Sequence, residues 1–452
     1  MKIIVVGCGN TGYKIVEHLS SENEHDITVV DIKSKIVQDI VNRFDIMGVV
    51  GSGPRMDILL EAGIKQADLL IAVADSDELN LLTCFIAKKL GDCQTIARVR
   101  NPEYSKQIHI FKEDLGLALI INPEQTAATE MARLLRFPTA IQIDTFAKGR
   151  VEVLKFRVAC DSVLCNMKIA DMRAMLNCDV LVCGAERKEA TFIPGGNFVI
   201  EEGDLLSVVG SPSNVSEFFK KIGIKTNRVK DTLIVGGGET AYYLAKILMR
   251  DGISVKIIEE KADRCDELSE LLPKATILHG DGTDNEILLE EGIEYCESFV
   301  SLTESDEENV LLSLFAMSKT KGKTITRINR TAYESVISRL DLDAVINPEI
   351  ITAEYIVRFV RAMNNSYGSN IETMHLILDG KAEALEFHIK DNSPVEGKTI
   401  ESLSLNPNVL IACIARPGEI ITPGGKDVIM KGDSVIVVTT NKGYNDISDI
   451  LR

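Results

Sequence analysis

Near the start of the chain, Gly7-Cys8-Gly9-Asn10-Thr11-Gly12 follows an apolar run, Lys2–Val6, and precedes helical apolar spacing over Thr11–Leu19. In a G-x-G-x-x-G loop the first glycine makes the tight turn and the second lets the backbone approach a pyrophosphate. The third permits close helix–strand packing, and the helix N-terminus supplies N–H donors and positive potential. Asp31 closes the next apolar run, ITVVD, about 24 residues after Gly7. A carboxylate there accepts hydrogen bonds from both ribose hydroxyls and repels a 2′-phosphate. It favours NAD(H) or an adenosine nucleotide over NADP.

The same chemistry is written a second time. Gly236-Gly237-Gly238-Glu239-Thr240-Ala241 repeats the loop at an offset of 229, and Glu259 repeats Asp31 at 228. Ala241 replaces the third glycine, which the pattern tolerates. Asp77-Glu78-Leu79-Asn80 returns as Glu307-Glu308-Asn309, and Arg98-Val99-Arg100-Asn101 as Arg327-Ile328-Asn329-Arg330. Ile121-Asn122-Pro123-Glu124 returns as Ile346-Asn347-Pro348-Glu349, Pro194-Gly195-Gly196 as Pro423-Gly424-Gly425, and Gly203-Asp204 as Gly432-Asp433. Landmarks kept in order at nearly one spacing mark a duplicated module of about 229 residues, far longer than a solenoid repeat.

Open α/β sheets bind ligands beyond the carboxyl ends of their strands. That rule adds Gly51-Ser52, Ala74-Asp75 and Arg98 in the first copy, and Gly280-Asp281, Thr303-Glu304 and Arg327 in the second. A guanidinium beside a pyrophosphate makes charge-assisted hydrogen bonds; the alternative for Arg98 and Arg327 is an interdomain salt bridge. Asp77 and Glu307 read as helix-start acids, favourable there without any ligand.

The elements that must position these residues alternate. Apolar runs Lys2–Val6, Asp26–Val30, Gly48–Val50, Leu69–Val73 and Thr95–Val99 are separated by helical patterns over Thr11–Leu19, Ser34–Phe44, Met56–Ala62 and Glu78–Leu90. Nearly continuous apolar strands between helices predict a parallel sheet covered on both faces, a doubly wound Rossmann-type domain. Asn122-Pro123-Glu124 starts another helix, with Asn as cap, Pro in the first turn and Glu at the positive dipole end. It reads either as the closing helix of the sheet or as a connector. The second part of each module has short alternating strands, such as Val151–Val158, Val180–Cys183 and Leu205–Val209, between Gly, Pro and Asp turns. It predicts a small α+β domain closing with an amphipathic helix, Ser213–Ile222 in one copy and Gly443–Leu451 in the other. The expected division is 1–138 and 227–368 for the Rossmann-type domains, and 139–226 and 369–452 for the small ones.

Composition narrows the function. A net charge of −17 opposes phosphate-backbone binding, and 5% aromatics with no Trp oppose a stacking surface, so no nucleic-acid partner is expected. No run of 18 or more apolar residues spans a membrane, and Met1–Val6 leads directly into the loop rather than forming a signal peptide; the expectation is an intracellular protein. Ten Cys without C-x-x-C spacing and six scattered His predict free thiols and no metal site. An NAD-dependent dehydrogenase needs a base facing the nicotinamide, and neither small part offers a Ser/His/Asp or Cys/His set or a carboxylate pair with a His. No catalytic residue is assigned. The bound nucleotide reads as a signal rather than a reagent.

GCGNTG, VVD, ADSDELN, ARVRNPEY and INPE together resemble the nucleotide-binding N-terminal module of the RCK (KTN) family, regulators of potassium conductance, and the small part is similar to the RCK C-terminal domain. Two complete pairs in one chain resemble the regulatory subunits of Trk-type potassium uptake systems. The resemblance implies a cytoplasmic homo-oligomer, a tetramer or dimer of dimers, arranged as a ring and peripheral at the inner face of the membrane through a Trk-type integral membrane potassium-translocating subunit. A regulator of another cation transporter or antiporter is the alternative. It also implies NAD(H) as ligand, with ATP or ADP as alternative occupants, held by both glycine loops, Asp31 and Glu259. Gly51-Ser52 departs from the family's Gly-Asp pattern, whereas Gly280-Asp281 keeps it.

Overall fold

A computed structural model describes all residues except 21–24, 102–103, 105–114, 139, 189, 225–228, 331–333, 338, 366–370, 379 and 392. Pro102 and Glu103 of the ARVRNPEY stretch, residue 139 and the junctions at 226/227 and 368/369 lie outside the described residues. The chain forms two compact units, Met1–Ala132 with Lys230–Val357, and Arg133–Val229 with Arg358–Arg452. Each unit therefore combines corresponding parts of both copies.

The first unit holds two six-stranded parallel sheets. Strands β1 (Lys2–Val6), β2 (Asp26–Asp31), β3 (Met47–Val50), β4 (Leu69–Ala72), β5 (Gln94–Arg98) and β6 (Leu117–Ile121) are ordered β3-β2-β1-β4-β5-β6. Ile3, Ile4, Val5 and Val6 are all buried, because helices cover both faces of the central strand. The strand order reverses beside β1, and the crevice beyond this switch point is where the glycine loop emerges. In the second copy, Thr276–His279, Ser254–Glu259, Asp231–Val235, Ser298–Ser301, Lys323–Arg327 and Ala344–Ile346 repeat the order. Both sheets match the doubly wound expectation.

The Asn-Pro-Glu helices run Pro123–Arg136 and Pro348–Asn365. Asn122 Oδ1 accepts the Gln125 N–H at 2.8 Å, and Asn347 Oδ1 accepts those of Glu349 and Ile350 at 3.0 and 3.1 Å. The caps do what the residue types predict.

The second unit holds two five-stranded antiparallel sheets. One is ordered Ala190–Phe192, Leu181–Arg187, Leu205–Gly210, Val151–Arg157, Gln142–Phe146. The other is ordered Ile371–Ile377, Ala382–His388, Ser434–Thr439, Val409–Arg416, Glu419–Ile421. A single buried cluster takes Phe146, Val153 and Cys183 from one copy and Leu378, Ala412 and Val438 from the other. The two parts share a core; the first sets the α-helices Ile169–Leu176 and Pro212–Lys221 beside its sheet, whereas the described residues of the second carry only the 3-10 turns Ile400–Ser402 and Ile447–Ile450.

One expectation fails. The helix predicted over Gly443–Leu451 is only a 3-10 turn, Ile447–Ile450, whereas its counterpart is an α-helix, Pro212–Lys221. Gly443 sits at φ +81, outside helical space. Asp446 and Asp449 cap the turn reciprocally, and Asn406 and Arg452 hold its end through hydrogen bonds to Ile450 O and Ser404 O. Leu451 pairs instead with Leu405 in an isolated antiparallel bridge, which holds the segment extended just past the turn.

Candidate nucleotide sites

Each glycine loop is shaped by a close approach. Gly7 has φ +92, and a Cβ there would lie 2.5 Å from Ala74 N; Gly236 has φ +98, with Leu302 O at 2.6 Å. Only glycine fits these turns. Gly9 and Gly238 have nothing within 4 Å of an added Cβ, so both middle glycines face open space. That space, beside the start of the helices Asn10–Ser20 and Glu239–Arg250, fits the close approach of a pyrophosphate to backbone N–H groups. Thr11 and Thr240 are buried, hydroxyls included.

The acids predicted for the ribose are fixed by the loops themselves. Asp31 Oδ2 accepts the Cys8 N–H at 2.8 Å and Oδ1 accepts the Lys33 N–H at 2.9 Å. Glu259 repeats both bonds, from Gly237 at 2.6 Å and Lys261 at 2.9 Å. The carboxylates are thereby aimed across the strand end beside the loop, each with acceptor capacity left for a hydroxyl. Burial and the nearby Asp31 push the Cys8 thiol up to about 12, so it stays neutral under the loop.

Gly51 and Gly280 close the next strand end, donating to Asp31 O and Glu259 O at 2.9 and 3.0 Å. Ser52 engages its turn through a carbonyl that accepts the Arg55 N–H. Asp281 accepts both the N–H and the hydroxyl of Thr283, which holds its carboxyl below the usual range. Asp281 is occupied with its own turn.

At the ends of the fourth strands the copies share one device that the sequence recorded as a landmark without a role. Asn80 Oδ1 accepts the Ala74 N–H at 2.8 Å, while its amide donates to Ala74 O and Arg98 O, both at 2.9 Å. Asn309 does the same for Thr303 and Arg327, at 2.8, 3.1 and 3.1 Å. An Asn at the same place in both helices was the available signal, and burial of its amide explains why. Asp77 is likewise more than a helix-start acid, since its Oδ2 accepts the Arg100 and Asn101 N–H groups at 2.8 Å. Its counterpart is Asp306, which accepts those of Asn329 and Arg330, and not Glu307, which pairs with Arg330.

Arg98 and Arg327 differ. The Arg98 side chain is 4% exposed and donates to Ala74 O at 2.8 Å and to the fully exposed Asp75 at 3.1 Å. Arg327 donates to Asn329 at 3.1 Å, and Glu304 instead meets Lys261 at 3.4 Å. Burial lowers both guanidinium pKa values. Each also feels the Asn-Pro-Glu acid of the opposite copy, Glu349 for Arg98 and Glu124 for Arg327. The Asn10 side chain of the first glycine loop also acts on Glu349, pulling its carboxyl pKa down against the larger raising effect of burial. The ion pair that Arg98 makes is with Asp75 of its own domain and not with another domain, and Arg327 instead engages the neutral Asn329. Among the described residues no cluster of His, Cys, Asp and Glu is arranged to hold a metal ion, and no helix is long and apolar enough to cross a membrane.

Comparison with known proteins follows the same division. Residues 3–123 and 232–348 match the TrkA-N domain, and residues 153–223 and 384–452 match the TrkA-C domain. The chain is 32% identical over 448 residues to the Trk system potassium uptake protein TrkA of Halomonas elongata, covering 98% of this chain and 96% of that one. It is 30% identical over 460 residues to Trk system potassium uptake protein TrkA homolog 1 of Methanosarcina mazei, with 100% of both chains covered. Among solved structures it is similar to the GsuK channel, at TM-score 0.62 and 18% identity over 98% of this chain and 77% of that one. The GsuK channel bound to NAD gives TM-score 0.61 and 18% identity over 97% and 77%. At that identity the likeness is one of fold.

Proposed function

Because the chain belongs to the TrkA family, with its TrkA-N and TrkA-C domains present twice over, we propose that it is the nucleotide-sensing regulatory subunit of a Trk-type potassium uptake system. It is a regulatory subunit of potassium transport and not an enzyme. Its ligands are NAD(H) and, as alternative occupants of the same loops, ATP or ADP. The observation that carries this reading is the pair of glycine loops, each holding a strand-end carboxylate by a backbone N–H, within one compact unit. Asn10 meets Glu349 and Asn122 meets Tyr243, so a ligand at one loop perturbs groups of the other copy. A ligand shifts a conformational equilibrium only by its difference in affinity for the two states. In this reading one nucleotide, such as ATP or NADH, favours the assembly that opens the partner's pore, and another favours the closed one.

The partner is a Trk-type integral membrane potassium-translocating subunit, and the chain acts at the cytoplasmic face as a homo-oligomeric ring, a tetramer or dimer of dimers. Self-association is supported by the helix Asp77–Gly91, which exposes Leu79, Leu82 and Phe85 at 42%, 47% and 40% along one face.

The test is potassium flux through a reconstituted Trk-type translocating subunit, with and without this chain, across ATP, ADP, NADH and NAD. Flux should depend on the nucleotide only when the chain is present, and Asp31→Ala should blunt the response. Nucleotides that bind while leaving flux unchanged would overturn the mechanism.

A further inference from the structure

The two loops carry different charges. Where the first begins its helix with the neutral Asn10, the second begins with Glu239. A carboxylate there stands beside the space over Gly238, and Glu259 adds a second acid to the same loop through Gly237. Left alone, Glu239 would oppose an anionic ligand at the one place where a pyrophosphate is to be held.

Arg264 answers it. It is the third residue of the helix Ala262–Leu271; the third residue of the corresponding first-copy helix, Ser34–Phe44, is Ile36. Its Nε donates to Gly237 O at 2.8 Å, its Nη2 to Glu239 Oε1 at 3.1 Å and its Nη1 to Glu267 Oε2 at 2.6 Å. The Arg264 side chain is 18% exposed against 41% for Glu239, and its Nε bond to Gly237 O holds it against the loop backbone. The neutral pair Asn10 and Ile36 has become the charged pair Glu239 and Arg264, leaving the formal charge of the two positions unchanged.

We propose that Arg264 is the charge-compensating residue of the second nucleotide site, the positioning residue that lets a loop containing Glu239 accept ligands bearing a pyrophosphate. The inference rests on the nucleotide reading of that site. It gives the two sites different electrostatic supports. The neutral Asn10 needs no counter-charge, while the second loop depends on a fixed ion pair whose disruption turns the site against phosphate. Glu267 shares the guanidinium but sits one helical turn away, so the loop contacts are those that reach the ligand face.

The test measures ADP and adenosine binding by calorimetry on the full chain carrying Asp31→Ala, which leaves the second site to be read, with Asp31→Ala/Glu259→Ala as the blank. Adding Arg264→Ala should weaken ADP by about tenfold or more, as expected for an uncompensated like charge, and change adenosine by less than about twofold. Adding Glu239→Asn to Arg264→Ala should restore ADP to within about threefold, and Arg264→Lys, which keeps the charge, should retain it. Equal losses for ADP and adenosine, or no rescue by Glu239→Asn, would mean that Arg264 only clamps the loop. Unchanged ADP binding in Arg264→Ala overturns the proposal too. If the Asp31→Ala chain with Arg264 intact binds no nucleotide, it is the nucleotide reading of the second site that has failed.

Discussion

The side-chain amide of Asn122 donates a 3.3 Å hydrogen bond to the hydroxyl of Tyr243, tying the cap of the first Asn-Pro-Glu helix to the helix behind the second glycine loop. Burial pushes the Tyr243 phenol up to about 12, so it remains a hydroxyl at neutral pH. Asn122 also donates to Arg100 O and caps its own helix, so its single replacement removes several bonds. A double-mutant cycle with Asn122→Ala and Tyr243→Phe isolates the bond between the copies. The coupling read from urea unfolding should be about 0.5–1.5 kcal/mol. A value of zero would deny this bond a role in joining the copies.

Glu349 gives a pH dependence with a definite sign. Burial raises its carboxyl above the ordinary 4.5, against the lowering pull of Asn10, Arg98 and Arg100. A raised carboxyl contributes stability that is fully present below the unfolded pKa and is lost as pH rises through the folded pKa. Glu349→Gln mimics the neutral form. Its stability relative to the parent should therefore grow with pH across the mildly acid range and level off once Glu349 is ionised. A difference that shrinks with rising pH would contradict the assignment.

The third position of the loops separates the copies. A Cβ on Gly12 would fall 2.0 Å from Gly7 O, a contact with rigid backbone. Gly12→Ala should cost about 1–3 kcal/mol by overpacking and abolish nucleotide binding at the first site. Ala241 is already accommodated in the second copy, so Ala241→Gly should cost only about 1 kcal/mol, from backbone entropy within a helix. Denaturation midpoints and ligand titration check both.

Asn80 and Asn309 should be among the least replaceable polar residues of the first unit. Asn80→Ala strips the Ala74 N–H and Arg98 O of their side-chain partner, at about 1–3 kcal/mol for each buried group left unpaired. Thermal unfolding should show the loss. Because the same amide positions the Ala74 and Arg98 backbone, nucleotide affinity should fall in the fraction that remains folded.

For self-association, Leu82→Glu and Phe85→Glu each place a charge on the exposed apolar face of the helix Asp77–Gly91. Light scattering should show a smaller assembly without a change in unfolding midpoint. An unaltered mass for both variants would place the oligomer contact elsewhere.

Residues close together along the chain specify five strands of the first sheet, the two loops, their strand-end carboxylates and the caps at Asn122 and Asn347; the edge strand Leu117–Ile121 is not among the predicted runs. These are local matters: apolar runs of strand length, glycines at turns that no side chain fits, and side chains reaching backbone a few residues away. Even the duplication is a one-dimensional fact, visible as a repeated spacing. The last turn escaped this reading because backbone groups around Ile447–Ile450 are claimed by distant residues, which periodicity does not record.

Which partners the charged groups meet is settled by packing in three dimensions. Arg98 and Arg327 came into view as candidates from their places at strand ends, yet the acids of the opposite copy beside them belong to helices far away in sequence. Arg264 has Ile36 as its counterpart, and nothing in a repeat marks a residue that exists in one copy alone. Electrostatic partnership depends on distance in space and on burial, and neither is written in the spacing of residues along the chain.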